Sequence, residues 1–269
     1  PVVRDPEGAG RVLVVIHHLG VDAVSWPVLI EDFVTGWAQL SRGRDIDLRA
    51  EQTSALAWTN ALAARTDSWS EQVGHWLDRL PARPTSLGVE LDRSRDRMST
   101  ERLVSVEIDA DVTAAVLTSV PEAFGGNVND VLLGAFARAV RSWQTHREVA
   151  DTAPVTVLTE GHGRYEEVLA TGPSPRRADL SRSVGWFTTL VPVSLDPGED
   201  VVHAVKAAKE ERLAQPDNGI GFGWLRYGPG ADAELASRPL PTISFNYFGA
   251  GSGAAVAQTD ALPFTNAPD

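Results

Sequence analysis

The sequence predicts an α/β protein built as two lobes. Short β-branched runs alternate with segments whose apolar residues recur at helical spacing, a pattern typical of α/β proteins. The 269 residues, 43% of them hydrophobic, suffice for one large domain or for two lobes. A stretch rich in proline and charge, from Pro81 to Arg97, interrupts the alternation. We therefore predict a lobe boundary near residue 85, with residues 1–85 in one lobe and residues 86–269 in the other.

The first lobe is predicted to begin with a strand that leads through a turn into a helix. Residues 11–16 form an apolar, β-branched run, which predicts a strand buried on both faces. Ser25 and Pro27 then precede apolar residues at helical spacing, as they do at a helix start. Helices are expected over about residues 25–40, 52–65 and 68–80.

The second lobe is predicted to continue the alternation. Residues from Leu103 onward alternate as in a strand, and Asn127 and Asp130 mark the start of a helix that reaches Val140. Further strands are expected over residues 155–158, ending at Glu160, and over 187–195 and 242–248; a further helix is expected over 201–213, and loops over 172–177 and 249–254.

Composition excludes several classes of protein. A formal charge of −12 argues against binding to nucleic acid or anionic membranes, since both require concentrated Lys and Arg. The chain has no cysteine, which excludes disulfides, thiolate metal sites and a cysteine nucleophile, and fits a reducing cytoplasm. No apolar run approaches the roughly 20 residues that span a bilayer. The start at Pro1, with no signal peptide and no Met, indicates an excised piece.

A pair of histidines lies at the end of the first predicted strand, in the motif HHLGVD (residues 17–22). His18 is a natural candidate for proton transfer, because imidazole takes up and releases a proton near neutral pH. The alternative is a hydrogen-bonded core histidine. A zinc site is disfavoured, because adjacent residues at a strand end point in opposite directions.

Three further motifs follow in order. They are EGHGR (residues 160–164), GWFT (185–188) and FNY (245–247). Together with HHLGVD they resemble the epimerization domain of nonribosomal peptide synthetases, a member of the chloramphenicol acetyltransferase-like superfamily. The resemblance implies a two-lobed α/β sandwich, here truncated at both ends, with HHLGVD in the first lobe and the other three motifs in the second.

The resemblance also implies an activity. An epimerization domain inverts the α-carbon of an aminoacyl or peptidyl thioester on the 4′-phosphopantetheine arm of a peptidyl carrier protein, without a cofactor or metal of its own. Its partners would be the upstream carrier protein and a downstream condensation domain, in the cytoplasm. The amino acid and the peptide product are not specified by these motifs.

His18 and Glu160 are the catalytic pair that the resemblance implies. One would remove the α-proton and the other would return a proton to the opposite face. Shielding the Glu160 carboxylate from water would raise its pKa far enough to exchange a proton with carbon. The alternative is a Glu160 paired with Arg164. The Glu160 and Trp186 motifs are not expected in condensation domains.

The resemblance assigns pocket or supporting roles to seven other residues: His17, Asp22, His162, Arg164, Trp186, Asn246 and Tyr247. His17 and Asp22 are expected to be structural, with Asp22 holding the histidine loop by an ion pair or by hydrogen bonds.

For the other five residues, a functional role and a structural role both stay open. His162 and Arg164 would shape the pocket, bind the pantetheine or the enolate oxygen, or act as structural hydrogen-bond partners. Trp186 would line the substrate tunnel or pack in the core. Asn246 and Tyr247, on a strand expected to be buried, would orient the thioester carbonyl or be a satisfied amide and phenol.

One departure from the family pattern concerns activity. Ala23 stands where the family usually has glycine, and alanine would strain the loop if that position needed positive φ. This departure leaves open a noncatalytic module that docks a carrier protein. A second alternative to the epimerase, a condensation-type acyltransferase that forms an amide, stays open because the resemblance of HHLGVD alone fits both kinds of domain.

Overall fold

The computed structural model describes residues 2–4, 10–80, 82–83, 85, 87, 92, 94–149, 153–170 and 177–249. The strands are β1 (Val2–Arg4), β2 (Gly10–Val12), β3 (Val155–Gly161), β4 (Thr189–Leu195) and β5 (Ser244–Phe245). The helices are α1 (Ser25–Leu40), α2 (Ala55–Ala63), α3 (Thr66–Trp69), α4 (Val73–Arg79), α5 (Ala110–Leu117), α6 (Ser119–Ala123), α7 (Val128–His146), α8 (Glu167–Ala170), α9 (Val201–Ala214), α10 (Ile220–Tyr227) and α11 (Ala233–Ser237).

The chain divides into two compact units, each assembled from separated segments. Unit 1 comprises Pro1–Arg65, His162–Thr188 and Phe248–Asp269, and unit 2 comprises Thr66–Gly161 and Thr189–Tyr247. The lobe boundary near residue 85 stays a prediction.

Unit 1 contains the β1–β2 hairpin, the helices α1 and α2, and the short helix α8. The hairpin is antiparallel, with Val2 opposite Val12. The predicted helix over 25–40 is confirmed by α1, and that over 52–65 by α2, whose first turn is capped by the Ser54 side chain.

Unit 2 is built on a three-stranded sheet in the order β4-β3-β5. The pair β3–β4 is antiparallel from Val155 opposite Leu195 to Gly161 opposite Thr189, and β5 runs parallel to β3. Helices α7 and α9 supply the other side of the core, which comprises Leu133, Ala137, Val140, Val155, Val157, Val193, Leu195 and Ala208.

The α7–α9 contact depends on small residues and one ion pair. A Cβ at Gly134 would lie 2.7 Å from backbone atoms of Val205, so only glycine permits this approach of the helices. Arg212 donates to both oxygens of the buried Asp130 carboxylate at 2.6 and 2.9 Å, which raises the pKa of Arg212 despite its partial burial. Asn127 caps α7, as its position before the helix predicted.

Several predicted strands are shorter than expected or do not form. β2 ends at Val12, and the apolar side chains that follow, up to Ile16, are exposed, so the expectation of a strand buried on both faces is wrong. The strand expected from Leu103 is also wrong, because Leu103 is 90% exposed in irregular backbone. Residues 13–16 and the run from Leu103 have strand-like patterns, yet they pair with no strand in the described part of the chain. A strand requires a hydrogen-bonded neighbour.

Other boundaries also differ from prediction. The helix over 68–80 is broken by a 3-10 turn at Ser70–Gln72, and the strands over 187–195 and 242–248 are reduced to β4 and β5. The strand ending at Glu160 and the helix over 201–213 are confirmed. Pro81, Pro84 and most of the loops predicted over 172–177 and 249–254 lie outside the described residues. None of the described helices has both the length and the apolar character needed to cross a membrane.

Candidate active site

The two histidines of HHLGVD lie at the start of a 3-10 turn, His18–Gly20 in unit 1. His17 Nδ1 accepts a hydrogen bond from the Leu19 N–H at 3.1 Å, so this ring caps the turn. His18 is exposed, and its ring centroid lies 5.6 Å from that of Trp186 at an interplanar angle of 55°. His18 is therefore accessible and lies against an aromatic neighbour, so the alternative of a core histidine is wrong.

Asp22, at the end of the same motif, is buried and accepts several hydrogen bonds. Arg164 donates to both of its carboxylate oxygens at 2.6 and 3.0 Å, and the Phe187 N–H donates at 3.1 Å. The Ser25 N–H and hydroxyl both donate to Oδ1, at 2.9 and 2.7 Å. Burial raises the pKa of Asp22, but the hydrogen bonds from Arg164, Ser25 and Phe187 outweigh it and hold the pKa below its ordinary value.

Arg164 is committed to this network. Beyond Asp22, its guanidinium donates to the Ser25 hydroxyl at 3.0 Å and to the Ser183 carbonyl at 3.2 Å. It also lies over the Phe187 ring, 4.2 Å from the centroid, and its side chain is 8% exposed. A buried, bidentate Arg–Asp pair of this kind sets the position of two loops. Of the roles considered for Arg164, the structure provides hydrogen-bond partners for a structural one.

The loop that carries Arg164 approaches the GWFT segment closely. Gly163 has a φ of +67°, and a Cβ there would lie 1.7 Å from the Phe187 carbonyl oxygen. Only glycine fits this position, which explains the glycine before Arg164 in the EGHGR motif.

His162 precedes that glycine and is oriented by its neighbours. Its Nδ1 accepts from the Arg164 N–H at 3.0 Å, and its ring lies 4.5 Å from that of Tyr165. Burial, and then the charge of Arg164, lower the pKa of His162, which favours the neutral ring. A neutral His162 suits hydrogen bonding more than charge stabilisation.

Trp186 is 51% exposed, so the alternative of a core tryptophan is wrong. The backbone on either side of it is fixed, because Gly185 bonds to Ser25 and the Phe187 N–H donates to Asp22. The exposed indole therefore lies beside His18 on a segment whose backbone is hydrogen-bonded on both sides.

Glu160 lies in unit 2, near the end of β3 and opposite Leu190 of β4. Its side chain is exposed, and Oε2 accepts a hydrogen bond from Asn246 Nδ2. The expected shielding from water is therefore absent in the described chain, because the last residues of β3 extend beyond the buried part of the strand. Arg164 pairs with Asp22, whereas Glu160 has an amide donor.

Asn246 and Tyr247 follow the end of β5. Asn246 is exposed and Tyr247 is half-buried, so the expectation of a buried strand is wrong at these positions. β5 pairs with β3 only through Ser244 and Phe245, and the chain leaves the sheet before Asn246. The Asn246 amide nevertheless contacts the predicted catalytic carboxylate.

Ala23 adopts no strained backbone. Within the described ranges, the residues other than glycine with positive φ are Glu148, Asp217 and Asn218. The loop thus accommodates alanine, and the expected conflict with a glycine position does not arise.

Each unit gathers its own predicted residues. Unit 1 brings together His17, His18, Asp22, His162, Arg164 and Trp186; unit 2 brings together Glu160, Asn246 and Tyr247. Over the residues that the structure describes, no three His, Asp or Glu side chains form a cluster suited to a metal ion.

The role of Ser25 is not evident from the sequence. Its position indicates only a helix start, whereas its hydroxyl forms hydrogen bonds with Asp22, Arg164 and Gly185. The available signal was a hydroxyl three residues after the motif aspartate, at the first residue of a helix. The role of Arg182 is not evident from the sequence either; its buried guanidinium pairs with Glu31 and Asp32 of α1.

Comparison with known proteins decides the family. The sequence model described as "Condensation domain" matches residues 3–267. The chain belongs to the condensation-domain family. This domain is 36% identical over 262 residues to one of the linear gramicidin synthase proteins of Brevibacillus parabrevis, an alignment that covers 94% of the domain and 3% of that synthase.

Solved structures agree with this family. The epimerization domain from the third module of tyrocidine synthetase B superposes with a TM-score of 0.72 at 30% identity, covering 86% of this domain and 50% of that chain. The first condensation domain of the CDA synthetase superposes with a TM-score of 0.55 at 18% identity, covering 86% and 47%, which shows the fold alone. The chloramphenicol acetyltransferase-like fold is thus confirmed, and the domain spans about half the length of these solved chains.

Proposed function

We propose that this condensation-family domain epimerizes the α-carbon of an aminoacyl or peptidyl thioester, carried on the 4′-phosphopantetheine arm of a peptidyl carrier protein. The observation that carries the proposal is Glu160, an accessible carboxylate at a strand end that is bonded to Asn246 and followed by the GHGR sequence. The 30% identity to a solved epimerization domain supports it.

In the proposed mechanism, His18 and Glu160 exchange protons with the α-carbon. One takes the α-proton and the electron pair passes to the thioester carbonyl, giving an enolate; the other then returns a proton to the opposite face, and the carbonyl reforms. Stabilising the enolate oxygen requires a donor. Within unit 2, the Tyr247 hydroxyl and the second N–H of the Asn246 amide are donors of the right kind.

The remaining site residues act through these groups. Asp22 and Arg164 hold the histidine loop against the GWFT segment, and His17 caps the turn that begins at His18. Trp186 is proposed to line the path of the pantetheine arm. The carrier protein would be the upstream neighbour and a condensation domain the downstream one, in the cytoplasm.

Deuterium exchange at the α-carbon tests this function directly. The domain, with its native flanks, is incubated in heavy water with an aminoacyl-carrier thioester, and deuterium at the α-carbon is followed together with stereochemistry. We expect exchange with mixed stereochemistry, reduced by about 100-fold or more in His18→Ala and in Glu160→Gln, because each removes one proton-transfer group. His146→Ala, an exposed histidine of α7, is the matched control and should exchange at the wild-type rate.

A second candidate is amide formation by a condensation-type acyltransferase. It is favoured by the family match and by His18, since HHLGVD does not by itself distinguish the two reactions. The same incubation, with an acceptor aminoacyl-carrier added, separates them. Amide product without α-proton exchange would replace the epimerase by a condensation enzyme, and the absence of both from a folded domain would indicate a docking module.

A further inference from the structure

We infer that Ser25 is a positioning residue for His18, acting through the backbone of Gly185 and the ring of Trp186. The inference rests on the proposed function, in which His18 transfers a proton. The claim that Ser25 positions the His18 ring depends only on contacts within unit 1, so it can be tested without measuring enzyme activity.

The Ser25 hydroxyl is completely buried and fully used. Its two acceptor positions receive the Gly185 N–H at 3.1 Å and the Arg164 guanidinium at 3.0 Å. Its single proton has two acceptors within reach, the Asp22 carboxylate at 2.7 Å and the Gly185 carbonyl at 3.0 Å. A hydroxyl offers one donor and two acceptor positions, so all hydrogen-bonding positions of Ser25 are occupied.

Gly185 depends on this hydroxyl. Its carbonyl also accepts from the Asp22 N–H at 3.0 Å, but its N–H has the Ser25 hydroxyl as the partner that the structure provides. A buried N–H that loses its acceptor carries the full cost of desolvation and turns to find another. Removing the hydroxyl should therefore rotate the Val184–Gly185 peptide, which carries this N–H, and so shift the backbone that leads into Trp186.

That rotation reaches His18 through Trp186. The indole is attached directly after Gly185, is half exposed, and has its ring 5.6 Å from the His18 ring. The far side of Trp186 is held separately, by the Phe187 N–H on Asp22. Three backbone hydrogen bonds thus place the indole beside His18: those of the Gly185 N–H, the Gly185 carbonyl and the Phe187 N–H. The first of them, and part of the second, depend on the Ser25 hydroxyl.

The experiment uses the full chain, labelled with ¹³C at Cε1 of its six histidines, and reads the His18 signal, assigned with His18→Gln. Trp186→Ala defines the position of that signal without the neighbouring ring. We expect Ser25→Ala to move the His18 signal at least half of the way to that position. Ser54→Ala, which removes the hydroxyl that caps α2 in unit 1, should leave the signal at the wild-type position.

Steady-state kinetics of α-proton exchange give a second measurement, with a result that a loss of stability would not reproduce. Ser25→Ala should lower kcat for α-proton exchange by about 10- to 100-fold, as expected for a displaced catalytic group, with KM unchanged. In a Trp186→Ala background, Ser25→Ala should cause no further loss, because both act through one contact.

Two results would overturn the inference: a His18 signal that stays at the wild-type position in folded Ser25→Ala, or kinetic effects of the two substitutions that multiply. If Ser25→Ala does not fold, Ser25→Cys gives the same decision, since it fills the site but is a weak acceptor. A wild-type domain without exchange would refute the proposed function, while the His18 signal would still decide the role of Ser25.

Discussion

The ion pair between Asp22 and Arg164 is the best-defined interaction at the scale of single residues. Both side chains are buried, so a change that removes one charge leaves the other without compensation. The neighbouring hydrogen bonds from Ser25 and Phe187 would also lose their charged acceptor. The pair is thus expected to matter for folding before it matters for chemistry.

We predict that Asp22→Asn lowers the free energy of unfolding by about 3 to 5 kcal/mol, the usual cost of a buried charge left unpaired. Urea unfolding measures this directly. The matched control is Glu234→Gln, which removes an exposed ion pair with Arg238 within one helical turn and should cost less than about 1 kcal/mol. Similar costs for the two substitutions would show that Arg164 finds another acceptor.

Among the helices, α4 contains a histidine, His75, whose surroundings disfavour its protonated, charged form. Burial, and then the charge of Arg79, lower the pKa of His75 from 6.5 to about 4, although Asp78 opposes them. Its Nε2 is buried and has no hydrogen-bond partner among the residues that the structure describes, and its ring meets the Trp76 ring edge-on at 4.7 Å. The folded state therefore holds His75 neutral at pH values where the unfolded chain would protonate it.

We predict that His75 makes the domain less stable as the pH falls from 6.5 to 4. In this window the unfolded chain binds a proton at His75 that the folded chain does not bind. The contribution of the neutral His75 to the free energy of unfolding is therefore complete above pH 6.5 and lost near pH 4. It amounts to about 1 to 3 kcal/mol. His75→Phe should flatten the unfolding free energy over this window, whereas His146→Phe, at an exposed histidine of α7, should not; equal slopes for His75→Phe and wild type would contradict the prediction.

Elements were predictable from sequence where their pattern is local. Helix α7 needed only Asn127 and a run of apolar residues at helical spacing, and both signals lie within 20 residues. The irregular backbone around Leu103 could not be foreseen, because alternation reports a tendency to pair and not the presence of a partner. The motifs likewise located His18 and Glu160, but not the contacts between Asp22, Ser25 and Gly185, which join residues about 160 positions apart.

At the scale of the whole molecule, the separation of contacting residues makes unit 1 discontinuous. Its helix α1 begins at Ser25, but the partners of Asp22 and Ser25 come from residues 162–188. Glu31 of α1 is likewise paired with Arg182. Two apolar residues of the first segment, Trp58 and Leu62, are buried in the 269-residue chain.

We therefore predict that residues 1–85 expressed alone do not fold, although they form one predicted lobe segment. The fragment would leave the Asp22 carboxylate and the Ser25 hydroxyl without their main partners, and a chain of this length has little core to spare. Circular dichroism should show no cooperative thermal transition for the fragment and a cooperative one for the full chain. Adding residues 86–188 restores Arg164, Arg182 and Gly185, and should restore the helical signal of α1. A cooperative transition in the short fragment would instead show that α1 and α2 form a core without the EGHGR and GWFT segments, and the lobe boundary near residue 85 would then be a folding boundary.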